Sequence, residues 1–176
     1  MAALATVGEL ETHLGRDLDA EQAELFLDLA SGAVRAYCGW ALAREDTVMQ
    51  LDGDGSCVLS LPTLLLVELT ALVVDGQDVD PAGADWPVWS AKGQLYRRGG
   101  WRRHAVIDAA VTHGYAPVPD LLKLVALDLA ARQVHNPTGL ASVTVGQVSR
   151  TWARTGTGDP MALSGLHERL LDRYRL

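Results

Sequence analysis

The chain has 176 residues, 48% of them hydrophobic, and a formal net charge of −7. That length suits one domain with a sizeable core. The acidic balance disfavours chain-wide nucleic-acid binding, because an acidic surface gains nothing from counterion release on a phosphate backbone. Met1–Val7 lacks the basic start and long apolar run of a secretory signal, and no stretch approaches ~18 consecutive apolar residues, so no membrane span is expected.

In chain order, Thr6-Val7-Gly8-Glu9 reads as a capping box opening a short helix that Gly15 can end. Asp19-Ala20-Glu21-Gln22 repeats the start signal for a longer helix to about Cys38. Its spacing predicts a buried stripe of Phe26, Leu29, Ala30, Ala33, Val34 and Tyr37. Opposite fall Glu21, Glu24, Asp28, Ser31 and Arg35. The period then changes. Val48–Leu51 and Cys57–Leu61 flank Asp52-Gly53-Asp54-Gly55, which predicts a hairpin. Further strands are predicted over Leu65–Val74, Gln94–Arg97 and Ala105–Thr112, with an ordered loop over Pro81–Trp89.

Pro119 announces a helix to His135 that is apolar on most sides, with Asp128 and Arg132 spaced to pair. Val143–Trp152 reads as one strand with Gly146 as a bulge, and Thr155–Gly158 as a flexible joint. Leu163, Leu166, Leu170 and Tyr174 mark a terminal helix. The expected fold is α+β: a mainly helical core with a β-rich insertion and a C-terminal arm. One domain is expected to span residues 1–176, with helices at 7–38 and 119–135, the insertion at 47–113 and the arm at 143–176.

Chemistry-bearing patterns are sparse. Asp52-Gly53-Asp54-Gly55 fails as a calcium loop, because Cys57 and Thr63 stand where such a loop needs Gly and an acid. His104 and Asp108, four apart on a strand, would share a face, while His113 points the other way and His13, His135 and His167 stand apart. Cys38 and Cys57 lie outside metal or CxxC spacing and read as free thiols. There is no nucleophile elbow, phosphate loop or dinucleotide motif. No catalytic residue, cofactor or metal is expected.

Two features suggest contact surfaces. Tyr96-Arg97-Arg98-Gly99-Gly100-Trp101-Arg102-Arg103-His104 places four arginines and two aromatics in nine residues. It reads as a solvated turn, as a protein interface facing acids such as Asp17, Asp19, Glu21, Glu24 and Asp28, or as a phosphate grip. Five tryptophans stand against one phenylalanine. Of these, Trp40 reads as core, while Trp86 and Trp89 suit either a contact surface or a loop pinned to its own sheet. Trp101, Trp152, Leu166, Leu170 and Tyr174 complete the candidate interface with Trp86, Trp89, Arg97, Arg98, Arg102 and Arg103.

The order of several short motifs resembles the head-to-tail connector (adaptor) proteins of long-tailed bacteriophages, over about residues 19–176. These are Ala36-Tyr37-Cys38-Gly39-Trp40, Leu51-Asp52-Gly53-Asp54-Gly55, Leu59-Ser60-Leu61-Pro62 and Val73-Val74-Asp75-Gly76-Gln77. Thr112-His113-Gly114-Tyr115 ahead of Pro119-Asp120, Ala130-Ala131-Arg132 and Leu170-Leu171-Asp172-Arg173-Tyr174 follow. The resemblance implies a virion protein of the neck, made in the host cytoplasm and also found in prophages and gene transfer agents. It implies a ring, expected as a dodecamer, beneath the portal protein, extending the DNA channel and receiving the next connector or tail-completion protein. DNA would pass without sequence-specific binding; no catalysis and no membrane are implied. The alternative from another class is a small cytoplasmic nucleic-acid-binding or regulatory module using the arginine turn.

Overall fold

A computed structural model describes residues 3–136, 142–145, 148–151 and 161–176. The chain divides into two compact units: Trp40–Pro117, and Ala2–Gly39 with Val118–Arg175.

The second unit is built on helices α1 (Val7–Leu14), α2 (Ala20–Cys38), α3 (Asp120–His135) and α4 (Gly165–Leu171), the last followed by a 3-10 turn at Asp172–Tyr174. Three of these starts, those of α1, α2 and α4, are set by side-chain caps. Thr6 and Glu9 form the reciprocal capping box of α1, Asp19 accepts from the Gln22 N–H of α2, and Ser164 caps α4. Gly39 ends α2 at φ 82°, where a side chain would be strained. α1, α2 and α4 all pack on α3, which explains why its apolar residues surround most of the cylinder.

The buried stripe of α2 is rotated from the expected one. Ala23, Phe26, Leu27, Ala30, Ser31, Val34 and Cys38 face inward, while Leu29 is 48% exposed. Ser31, expected outside, is buried because its Oγ accepts from the Leu4 N–H at 3.0 Å. The terminal segment thus claims the face that periodicity alone gave to solvent. Burial pushes the Cys38 thiol up to about 11.

Polar ties brace the helices. Lys123 Nζ lies 2.7 Å from Glu9 Oε1. Asp128 Oδ2 accepts from Arg132 Nη2 at 2.6 Å and lies 3.0 Å from Nε2 of buried His167. His167 is therefore an anchor of α4 on α3, a role its isolation in sequence concealed. This unit also holds a hairpin of β8 (Ser142–Val145) and β9 (Val148–Thr151), so the single strand expected there is two antiparallel ones. The expected bulge at Gly146 and joint at Thr155–Gly158 lie outside the described residues.

The first unit is a β structure. Strands β1 (Glu45–Asp52), β7 (Val106–His113), β3 (Leu66–Val74) and β4 (Gln77–Asp78) form a four-stranded antiparallel sheet in that order. β2 (Val58–Ser60), β6 (Gln94–Tyr96) and β5 (Val88–Ser90) form a three-stranded one. Between them lies a core of Leu59, Leu61, Leu66, Leu72, Leu95 and Ile107, extended by Trp101 and Val111.

Two expectations are corrected here. The α+β class holds, but the core is not mainly helical, since the β unit buries an apolar cluster of its own. β1 and β2 do not form a hairpin; they belong to different sheets. β1 pairs with β7 over its full length, from Glu45↔His113 to Asp52↔Val106. Eight paired residues outweigh a three-residue hairpin arm. The Asp-Gly-Asp-Gly stretch still turns, but it passes the chain from one sheet to the other. The Pro81–Trp89 loop ends inside β5, a strand its prolines hid.

His113 is buried at the end of β7. Its Nδ1 shares a hydrogen bond with Thr63 Oγ1 at 3.2 Å, and its Nε2 lies 3.7 Å from Glu45 Oε1. Burial holds the His113 imidazole below its ordinary value of 6.5, and burial followed by the nearby Arg132 charge does the same for His167. Both rings take up a proton more readily in the unfolded chain, so stability rises with pH through this range. Melting temperature should be level above about pH 7 and fall as pH drops through 6.5 towards the lowered folded values. His167→Gln should flatten that fall, measured by thermal melts across pH.

Candidate interaction surface

The arginine-rich segment runs from the end of β6 to the start of β7, and its path is set by backbone hydrogen bonds. Arg97 N–H donates to Cys57 C=O at 2.9 Å, Trp101 N–H to Ser56 C=O at 2.8 Å and His104 N–H to Gly53 C=O at 2.7 Å. Two tight turns lie along it, closed by Gly100 N–H to Arg97 C=O and by Ala105 N–H to Arg102 C=O, both at 3.0 Å. The opposing loop is shaped by Asp54, whose carboxylate accepts from the Ser56 N–H at 2.8 Å. That bond, with the Ser56 side chain next, holds the Asp54 carboxyl below its ordinary range.

Gly53 is demanded by this closure. A Cβ there would lie 2.1 Å from the Arg102 carbonyl oxygen. The two loops can approach only because that atom is missing.

The four arginines have different fates. Arg97 Nη2 lies 3.8 Å from Asp85 Oδ1, and its guanidinium sits 5.6 Å from the Trp101 ring centre. Arg102 pairs with Asp75, a residue at φ 52° whose carboxylate also accepts from the Val106 N–H at 3.1 Å. Arg98 and Arg103 are exposed and hold no ion pair among the described residues. An open depression of about 580 Å³ lies here, lined in part by Gly55, Asp85, Arg97 and Trp101.

Trp101 does not belong to the exposed surface. It is 1% exposed, its indole N–H reaches the Leu95 carbonyl at 3.4 Å, and it fills the core beneath the arginines. Trp86 and Trp89 are half-buried and pack against the same core, which pins their loop to its own sheets. Trp40, buried as expected, packs against Tyr115 with the ring centres 5.6 Å apart and the planes tilted by 56°. In the other unit Leu166 is 65% exposed, whereas Leu170 and Tyr174 are half-buried. The 3-10 turn is tied down by Tyr37, whose hydroxyl donates to Asp172 at 2.6 Å. Trp152 lies outside the described residues.

His104 sits in a turn at φ 62°, ahead of β7, so it does not share a strand face with Asp108. Asp108 instead accepts from Gln50 Nε2 at 2.9 Å. Among the described residues no group of three or more His, Cys, Asp or Glu gathers as metal ligands, and no helix is long and apolar enough to cross a membrane.

Sequence reasoning missed one surface feature. Val58 and Val88 both pair with Tyr96, so the three form a row across the small sheet. All three point outward, at 42%, 71% and 49% exposure for Val58, Val88 and Tyr96. Alternation in β6, with Leu95 buried between outward Gln94 and Tyr96, was the available signal; β5 was concealed in the proline-rich loop.

The whole chain superposes on chains from gene transfer agent particles. With a chain in the neck of an empty particle, determined with C6 symmetry, it shares 17% identity at a TM-score of 0.65, covering 99% of this chain and 92% of that one. With a chain in the neck of a native particle of C12 symmetry the values are 18% and 0.57, covering 96% and 87%. A chain of the native gene transfer agent virion gives 20% and 0.62, covering 99% and 92%. The fold is shared with neck proteins. That agrees with the resemblance carried by the short motifs. No family model matches the chain, and no curated protein matches it significantly.

Gly53→Ala should lower stability by about 1–3 kcal/mol, as overpacking does, and Trp101→Ala by about 3–5 kcal/mol. Arg98→Ala should change it by less than about 0.5 kcal/mol. Denaturant titration of the three variants checks the order.

Proposed function

We propose that this chain is a structural subunit of a phage-type neck: a head-to-tail adaptor that forms a ring beneath the portal, extends the DNA channel and joins capsid to tail. The observation that carries this reading is fold likeness that covers 99% and 96% of this chain and 92% and 87% of two neck chains.

The chemistry is consistent with such a role. Buried titratable groups are spent on structure: His113 on Thr63, His167 on Asp128. A net charge of −7 suits a channel wall along which DNA slides, because like charge opposes sticking. The proposed partners are further copies of this chain, in a twelve-membered ring by the resemblance, with the portal protein above and the next connector or tail-completion protein below. The virion neck is the proposed location, reached from the host cytoplasm during assembly.

The nucleic-acid module is less well supported. Two of the four arginines that would grip phosphates are engaged by Asp85 and Asp75.

Deleting the gene from the particle that encodes it should leave filled heads and separate tails, seen by electron microscopy of lysates. Joined, infectious particles from the deletion would overturn the proposal.

A further inference from the structure

Assuming the ring-forming role proposed above, we infer that the outer face of the three-stranded sheet docks on the exposed face of α2 in a second copy of this chain. The docking face is the row of Val58, Tyr96 and Val88. Cross-strand neighbours of this kind make one continuous apolar strip, unlike scattered surface residues. Exposed arginines follow the strip in the chain. Arg98 follows Tyr96 by two residues in the exposed turn, and Arg103 lies on the same turn-rich segment.

α2 carries the complementary surface. Leu25 and Leu29 are 56% and 48% exposed, and four residues apart they share one face. Glu21 and Asp28 fall on that face and Glu24 beside it, all exposed. None of these three acids holds an ion pair among the described residues, and neither do Arg98 and Arg103. The sheet strip thus has two exposed arginines close by in the chain, and the α2 strip has three exposed acids, with the half-buried Arg35 on the same side of the helix. Isolated apolar residues would specify no partner. Two apolar strips, one near exposed arginines and the other near exposed acids, favour a head-to-tail contact, in which copy after copy uses two different faces.

Disulfide capture tests the contact in the full-length chain. The exposed Cys57 is first replaced by Ser. Gln94→Cys, on the sheet face beside Tyr96, is activated as a thionitrobenzoate mixed disulfide and mixed with chain carrying Gln22→Cys, beside Leu25. Thionitrobenzoate release should be about tenfold faster, or more, than with the exposed control Glu168→Cys, and should slow as salt is added. Arg98→Glu with Arg103→Glu should return it to the control rate, and Glu24→Arg with Asp28→Arg on the partner should restore it. Capture no faster than control, or unaffected by the arginine reversal, overturns the inference. If instead a short DNA duplex binds the unmodified chain and the same reversal abolishes binding, the occupant is nucleic acid and the inference also falls. These outcomes are read on purified protein, apart from the deletion phenotype, so either proposal can fail while the other stands.

Discussion

β7 is the constraint on which the β unit depends. It is hydrogen-bonded along its length to β1 on one side and β3 on the other, and Ile107, Ala109 and Val111 on one face are at most 1% exposed. A slip of one residue would carry these side chains to the other face, so the register is strongly determined. Its partners lie far away in sequence, and closing such loops costs entropy that burial must offset. The ladder also sets where β7 begins, and so where the arginine segment must end.

The rest of that unit follows from this placement. The chain arriving from β6 has to reach Val106 beside the Gly53–Cys57 loop. Three backbone hydrogen bonds to Gly53, Ser56 and Cys57 guide it there. Trp101 fills the space below, leaving Arg98 and Arg103 above. A patch of charge that could be read as a solvated turn is braced from beneath by these hydrogen bonds and a buried tryptophan. Rigid presentation reduces the entropy lost when a surface is bound.

The helical unit solves a different problem. α3 carries apolar residues on nearly every side and is surrounded by α1, α2 and α4. Three of its polar residues act as ties, Lys123 to Glu9 and Asp128 to both Arg132 and His167. Outward, the two units present apolar side chains and charge, among them Val88, Leu166, Arg98 and Glu24. Such surfaces suit assembly, where specificity comes from complementarity.

Much of this was legible in the sequence wherever the controlling interaction is local. The caps at Thr6 and Asp19, the helix stop at Gly39, the Asp128–Arg132 pair and the span of α3 depend on residues three or four apart. The turn at Asp52–Gly55 was visible for the same reason. What it connects was not, because strand partners are chosen by burial across the whole unit, and β7 could pair β1 along eight residues. The rotation of the α2 stripe required the Leu4–Ser31 contact, twenty-seven residues apart. Trp101 and Arg98 sit three residues apart in one motif, yet one is core and the other surface. Residue type set their chemistry, and only the packing of two sheets decided which of them faces water.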